Sequence, residues 1–131
     1  MPTMSDASAS IEIAASVSEV WPFLAEFRHW PEWGPSVRAV EAGRKAVAPG
    51  LRGRVQTSIG LWLPFEIGRC EPERFWDWKV AGVRATGHRL VAIDSARTRV
   101  DFTVPRAFFP YIWVLDRGLR RLASLAESSR A

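Results

Sequence analysis

Thr98-Arg99-Val100-Asp101-Phe102-Thr103-Val104-Pro105, with the stretch that follows it to Glu127, decides the fold. From 98 to 104 apolar and polar residues alternate, the mark of a strand with one buried face. Pro105 ends that strand, and after Pro110 the period changes. Ile112, Leu115, Leu119, Leu122 and Ala126 recur every three to four residues, flanked by Trp113 and Leu125. Arg117, Arg120 and Arg121 fall on the opposite face, so the segment reads as a long amphipathic helix. A half-buried strand therefore hands over directly to a helix.

Upstream, the helical period is absent back to Ser36, and short alternating runs separated by turn signals take its place. These are Val37–Glu41, Leu51–Thr57, Leu61–Cys70, Phe75–Val80, Val83–Ile93 and Thr98–Val104. Pro64 inside the third run predicts an edge strand or a bulge. Ala81-Gly82 reads as a tight hairpin. Nearer the start, Ile11 and Ile13 share one side of a strand over Ser10–Ala14. Ser16-Val17-Ser18-Glu19 then matches the pattern in which Ser caps a helix and Glu three residues on reaches back. Pro22 shortens or kinks that helix, and Trp30-Pro31-Glu32-Trp33-Gly34-Pro35 leaves room for one further turn.

The order is one strand, one or two short helices, about six strands and one long helix. A meander with one apolar face needs a cover, and the last helix is the element long enough to supply it. The fold class is thus α+β, a curved antiparallel sheet of about seven strands around the C-terminal helix. Where inward side chains fail to fill the space, a cavity remains. Residues 1–9 are expected as a disordered tail and 10–128 as a single domain.

Composition sharpens the functional reading. Of 131 residues, 7 are Trp and 7 Phe against 1 Tyr, a load of flat apolar surface suited to a core or a cavity. The net charge of +4 is spread along the chain, which argues against a nucleic-acid footprint. The single Cys70 excludes an intramolecular disulfide. With no apolar run of about 20 residues, no stable membrane insertion is expected, and a cytoplasmic location follows as the default. Two distant His and one Cys do not match metal-ligand spacing, and no phosphate loop or nucleophile elbow is present. Neither a metal nor a cofactor is expected.

Several segments in order carry a resemblance: Ile11-Glu12-Ile13-Ala14-Ala15 leading into Val17–Trp21, then Trp30-Pro31-Glu32-Trp33, then Pro49-Gly50-Leu51-Arg52-Gly53. Gly87-His88-Arg89-Leu90 and the final helix complete it. From about Ile11 to Glu127 the chain resembles the helix-grip superfamily of START-type lipid-transfer domains, birch-pollen allergens and bacterial polyketide cyclase/dehydrase-like proteins. The last of these is the nearest. The resemblance implies a largely apolar cavity for lipids, polyketides or similar molecules; some members catalyse cyclisation or dehydration.

His88 is the candidate catalytic residue, an imidazole in an apolar strand that can act as acid or base. The plainer reading is a buried His held by hydrogen bonds. His29 lies in a polar turn and is expected exposed. The expected ligand pocket comprises Trp33, Phe65, Trp76, Trp78, His88, Leu90, Phe102, Phe108, Phe109, Ile112 and Trp113. Glu66, Asp77 and Asp101 fall on the wet face by the period of two, as do Arg84 and Arg89 unless one meets a ligand carboxylate. Trp62, Trp76 and Trp78 line the cavity or cover the outer face. Three functions follow: a carrier of a hydrophobic or aromatic small molecule, a cyclase, dehydratase or isomerase working through His88 with a nearby Arg or carboxylate, or a protein-interaction module using exposed Trp and Arg. The partner is a hydrophobic small molecule, and the chain is a monomer or a homodimer.

Overall fold

The computed structural model describes residues 6–128, the side chains of Phe109 and Pro110 excepted. In chain order the elements are β1 (Asp6–Ile13), α1 (Val17–Ala25), a 3-10 turn (Phe27–His29), α2 (Trp30–Trp33) and β2 (Val37–Ala42). The meander continues through β3 (Arg52–Thr57), β4 (Trp62–Glu71), β5 (Phe75–Val80), β6 (Val83–Asp94) and β7 (Arg97–Pro105). A kinked turn (Arg106–Tyr111) leads into α3 (Ile112–Ser128). The seven strands form one antiparallel sheet in the order β1-β7-β6-β5-β4-β3-β2. No helix is long and apolar enough to cross a membrane among the described residues.

β1 begins at Asp6 instead of Ser10, because its pairing with β7 runs unbroken from Ile13↔Thr98 to Asp6↔Pro105. Within the expected tail, residues 1–5 lie outside the described residues. The helix-capping pattern forms as read: Ser16 Oγ accepts from Glu19 N at 3.3 Å, and the Glu19 carboxylate accepts from Ser16 N at 2.9 Å. For Pro64 the edge reading is corrected, while its strand does carry a bulge. Pro64 sits in β4, an interior strand, and one residue before the pairing with β5 opens at Phe65↔Val80, so no bulge is needed there. The bulge lies further on, between Ile67 and Cys70. There the Arg69 N–H released from the ladder donates to the Asp77 carboxylate at 2.9 Å. Ala81 and Gly82 both take positive φ, 51° and 77°, the geometry of a two-residue hairpin whose twist matches its strands.

The two tryptophans of α2 do a job that no local pattern announces. A helix leaves its last four carbonyls without intrahelical donors. In α1 the Pro22 carbonyl accepts from Glu26 N at 3.0 Å and the Ala25 carbonyl from Val47 N at 2.9 Å. The two between them accept from indoles, Trp33 Nε1 to Phe23 O at 2.8 Å and Trp30 Nε1 to Leu24 O at 3.0 Å. These bonds fix both indoles while their rings enter the core.

α3 buries Leu115, Gly118, Leu119, Leu122, Ala123 and Ala126. It packs on β1, β7, α1 and α2. Gly118 permits the close approach to α2, since a Cβ there would stand 3.2 Å from the Trp33 carbonyl. The helical cover is therefore concentrated over β1, β7 and the centre of the sheet.

Candidate functional site

The inward face changes in bulk along its length. At its centre Trp30 stacks on Trp76 with ring centroids 4.9 Å apart and planes 3° from parallel, and Trp76 stacks on His88 at 3.7 Å. Phe27, Phe65 and Trp78 close one side of this stack, and Trp33 and Phe102 the other. Towards the end where β7 enters the kinked turn, the inward residues are small: Val37, Val55, Thr57, Val80, Ala85 and Val104. Small side chains under a cover that does not reach them leave space. The result is a cavity of about 610 Å³, completed by Ser36, Trp78, Val83, Arg84, Thr86, Ala107, Phe108 and Tyr111. Val83 and Phe108 are about half exposed, at 51% and 47%. A second, inner chamber of about 50 Å³ lies against Trp30, Trp33, Trp76, Trp78, His88 and Phe102. The two spaces share Ser36, Val37, Trp78, Thr86 and Tyr111 as walls.

Polar groups in these walls are few and mostly engaged. Trp78 Nε1 donates to Thr86 Oγ1 at 2.9 Å, and Thr86 Oγ1 lies 3.0 Å from His88 Nε2. His88 Nδ1 lies 3.1 Å from the Trp76 carbonyl, which can only accept. The proton is therefore on Nδ1, and Nε2 accepts from the Thr86 hydroxyl. Burial of the ring pushes its pKa from 6.5 down to about 3, against the opposing pull of the Trp76 carbonyl. His88 is a neutral imidazole with both nitrogens occupied. Ser36 and Tyr111 join their hydroxyls in a hydrogen bond.

This titration gives a sign. The unfolded imidazole takes up a proton below about pH 6.5, whereas the folded one resists to about pH 3. Its stabilising contribution is thus complete above pH 6.5 and is lost as the pH falls towards 3, at about 1.4 kcal/mol per unit. Urea unfolding of wild type and His88→Gln at pH 7 and pH 4.5 is expected to show the steeper acid loss in wild type. Equal losses would contradict the buried neutral ring.

Of the residues expected at the pocket, Trp33, Trp76, Trp78, His88 and Phe102 line the inner chamber, and Trp78 and Phe108 line the main cavity. Phe65 and Leu90 are buried in the core outside both linings; a Cβ on Gly53 would meet the Phe65 ring at 2.8 Å, so that ring covers β3. Ile112 packs half-buried against the core, and Trp113 points outward at 82% exposure. The Phe109 side chain lies outside the described residues. Trp62 sits under the Arg54 guanidinium at 4.8 Å. His29, expected exposed, is half-buried against Phe23 at 4.6 Å and bonded to Glu32 at 2.5 Å.

The lining residues that the sequence reading missed are mainly the small ones. Val83 and Ala85 escape the alternation rule because the β5–β6 register shifts between Asp77↔Gly87 and Lys79↔Arg84. Beyond the shift, odd-numbered residues of β6 join the even-numbered Thr86 and His88 at the cavities. On the opposite face of the sheet a trough holds Arg69, Phe75, Asp77, Arg89 and Asp101. Its cations are engaged: Arg84 with Asp6 at 2.9 Å, Arg99 with Asp101 at 3.1 Å, and Arg89 over the Phe75 ring at 4.7 Å. Among the described residues no group of three or more His, Cys, Asp or Glu is placed to hold a metal.

A family model described as polyketide cyclase/dehydrase and lipid transport matches residues 4–127. Solved structures share the fold at low identity. The protein XoxI of Bacillus cereus is 14% identical, with a TM-score of 0.76 over 98% of this chain and 99% of that one. Protein NE0264 of Nitrosomonas europaea is 17% identical, with a TM-score of 0.73 over 99% of each chain. The Aha1 dimer of Colwellia psychrerythraea, solved in solution, is 15% identical, with a TM-score of 0.73 over 98% and 100%. No curated protein matches the chain.

Proposed function

The chain belongs to the polyketide cyclase/dehydrase and lipid transport family, and from that premise we propose that it binds and carries an apolar or aromatic small molecule in the 610 Å³ cavity. The observation that carries this reading is the wall of that cavity. Valine, alanine and aromatic side chains make up most of it, and its volume lies within the roughly 300–1,000 Å³ typical of small-molecule sites. Arg84, the only charged residue among the described residues that line it, is tied to Asp6 through two N–H groups at 2.9 and 3.2 Å. Apolar surface removed from water supplies the affinity, at about 25 cal/mol per Å².

Carriage without turnover is favoured over catalysis by the state of His88. A general acid or base needs a proton it can exchange near neutral pH and a free lone pair or N–H facing the substrate. His88 has neither, so we assign it to the floor of the site together with Thr86 and Trp78. Trp76 and Trp78 give no support to the interaction-module reading, because they line the interior spaces; the exposed tryptophan is Trp113.

Native mass spectrometry of freshly purified protein, followed by organic extraction, tests the proposal. A stoichiometric apolar passenger is expected, released intact, and the same spectrum reports monomer or homodimer. Protein that is empty and whose Trp fluorescence ignores fatty acids, quinones and polycyclic aromatics alike would defeat the carrier reading.

A further inference from the structure

Large apolar side chains left in water are concentrated at one end of the molecule. The antiparallel order sets the starts of β2, β4 and β6 beside the ends of β3, β5 and β7. The connections 34–36, 58–61, 81–82 and Arg106–Tyr111 therefore meet there, and α3 begins there. The far end of α3 is held at the opposite end of the sheet, where the Glu127 carboxylate accepts from Ala14 N at 2.8 Å. The main cavity reaches the first of these ends through Val83 and Phe108. Among the described residues six large apolar side chains are exposed, and five stand at this end: Ile59, Leu61, Val83, Phe108 and, in the first turn of α3, Trp113. The tip is shaped by Gly60, which takes a φ of 87° and donates its N–H to the Thr57 carbonyl at 2.9 Å. That tight turn leaves Ile59 in solvent at 85% exposure.

The charge at this end is positive. The four connections contain no acid and one cation, Arg106. Arg38 is exposed, and its guanidinium lies beside the 58–61 tip, 3.8 Å from where a Cβ on Gly60 would stand. Arg117 is exposed one turn beyond Trp113. Asp6, at the start of β1, and Asp116, in α3, are each held by an arginine, Arg84 at 2.9 Å and Arg120 at 2.7 Å. A cluster of exposed apolar groups marks a surface that something covers. A second copy seated there would bring Arg38 and Arg106 towards their own images, and like charges oppose that pairing. An anionic lipid surface meets both features, taking apolar tips among its acyl chains and arginines at its headgroups. We propose that the protein docks its cavity mouth on an anionic lipid surface. Ile59, Leu61 and Trp113 enter the interface, and Arg38, Arg106 and Arg117 lie at the headgroups. The docking is peripheral, and it goes beyond the carrier reading without depending on it.

Sedimentation of the full-length protein with vesicles of phosphatidylglycerol and phosphatidylcholine, at about 0.1 M salt, tests this. Binding to the mixed vesicles is expected to exceed binding to phosphatidylcholine alone by at least about tenfold. Ile59→Ser combined with Leu61→Ser should weaken it about tenfold or more, and Arg38→Gln about fivefold. Ile93→Ser, which changes the exposed apolar residue outside the cluster, should leave it unchanged. Brominated acyl chains should quench the wild-type fluorescence, and Trp113→Phe should lose most of that quenching. Each change replaces an exposed side chain, and thermal unfolding verifies that every variant folds. Equal vesicle binding by wild type and the Ile59/Leu61 double variant overturns the proposal, as does quenching that survives in Trp113→Phe. A wild-type dimer that the double variant dissolves overturns it too, because a second copy then covers the patch. Titration with 2-ethylnaphthalene keeps the two readings apart. Vesicle binding without probe binding defeats the carrier alone, and probe binding without vesicle binding defeats the docking surface alone.

Discussion

Trp30→Ala is expected to lower stability by about 3–5 kcal/mol, the range for removing a large aromatic from a packed core. Trp30 is 1% exposed and touches Phe27, Phe65, Trp76 and Trp78 through its ring. Its loss removes the far end of the stack that ends on His88, and it also leaves the Leu24 carbonyl at the end of α1 without its indole donor. Trp30→Phe separates the two effects, since it restores most of the ring and not the N–H; a loss of about 1–2 kcal/mol is expected for that variant. Chemical denaturation at pH 7 reads both. A Trp30→Ala protein within about 1 kcal/mol of wild type would mean that the stack is not the keystone of the core.

Val80→Trp is expected to weaken binding of an apolar probe by about a hundredfold while changing stability by about 1–2 kcal/mol or less. Val80 is half-buried and follows Trp76 and Trp78 on the inward face of β5, so its enlarged side chain enters the main cavity and takes the space an apolar probe would need. Because the site is empty space and not packed core, there is little to compress. Titration of 2-ethylnaphthalene into wild type and variant, with thermal unfolding alongside, measures both quantities. Unchanged affinity in a folded variant would place the ligand elsewhere, and the charged trough on the outer face would be the next place to look.

Much of the architecture is legible in the sequence because it rests on short periods. The alternation of Thr98–Val104 survives as β7 with Thr98, Val100, Phe102 and Val104 all buried. The stripe from Leu115 to Ala126 survives as the buried face of α3. The site is less legible, and for a physical reason. A cavity is made by what is small and by what fails to reach, and neither leaves a periodic trace. Sequence reasoning selected the largest side chains, and several of them fill the core or, in Trp113, face solvent. Val83 and Ala85 were hidden by a register shift that depends on two strands at once. The indoles of Trp30 and Trp33 were visible as aromatics, yet their bonds to Phe23 and Leu24 carbonyls join elements whose contact no local pattern encodes.

The pairing of β1 with β7 has a kinetic consequence. β1 occupies one margin of the sheet, and among the described residues β7 is its only strand neighbour, with Ile13 opposite Thr98 and Asp6 opposite Pro105. Along the described residues, the first strand pairs only with the last. Hairpins from β2 to β7 form in sequence between neighbours, whereas β1 must close a loop spanning most of the polypeptide before it gains a single ladder bond. Non-local closure of this kind slows folding. α3, which rests on β1 and β7, comes later still. The space between sheet and helix is thus closed by the least local contacts of the fold, those of β1 and α3.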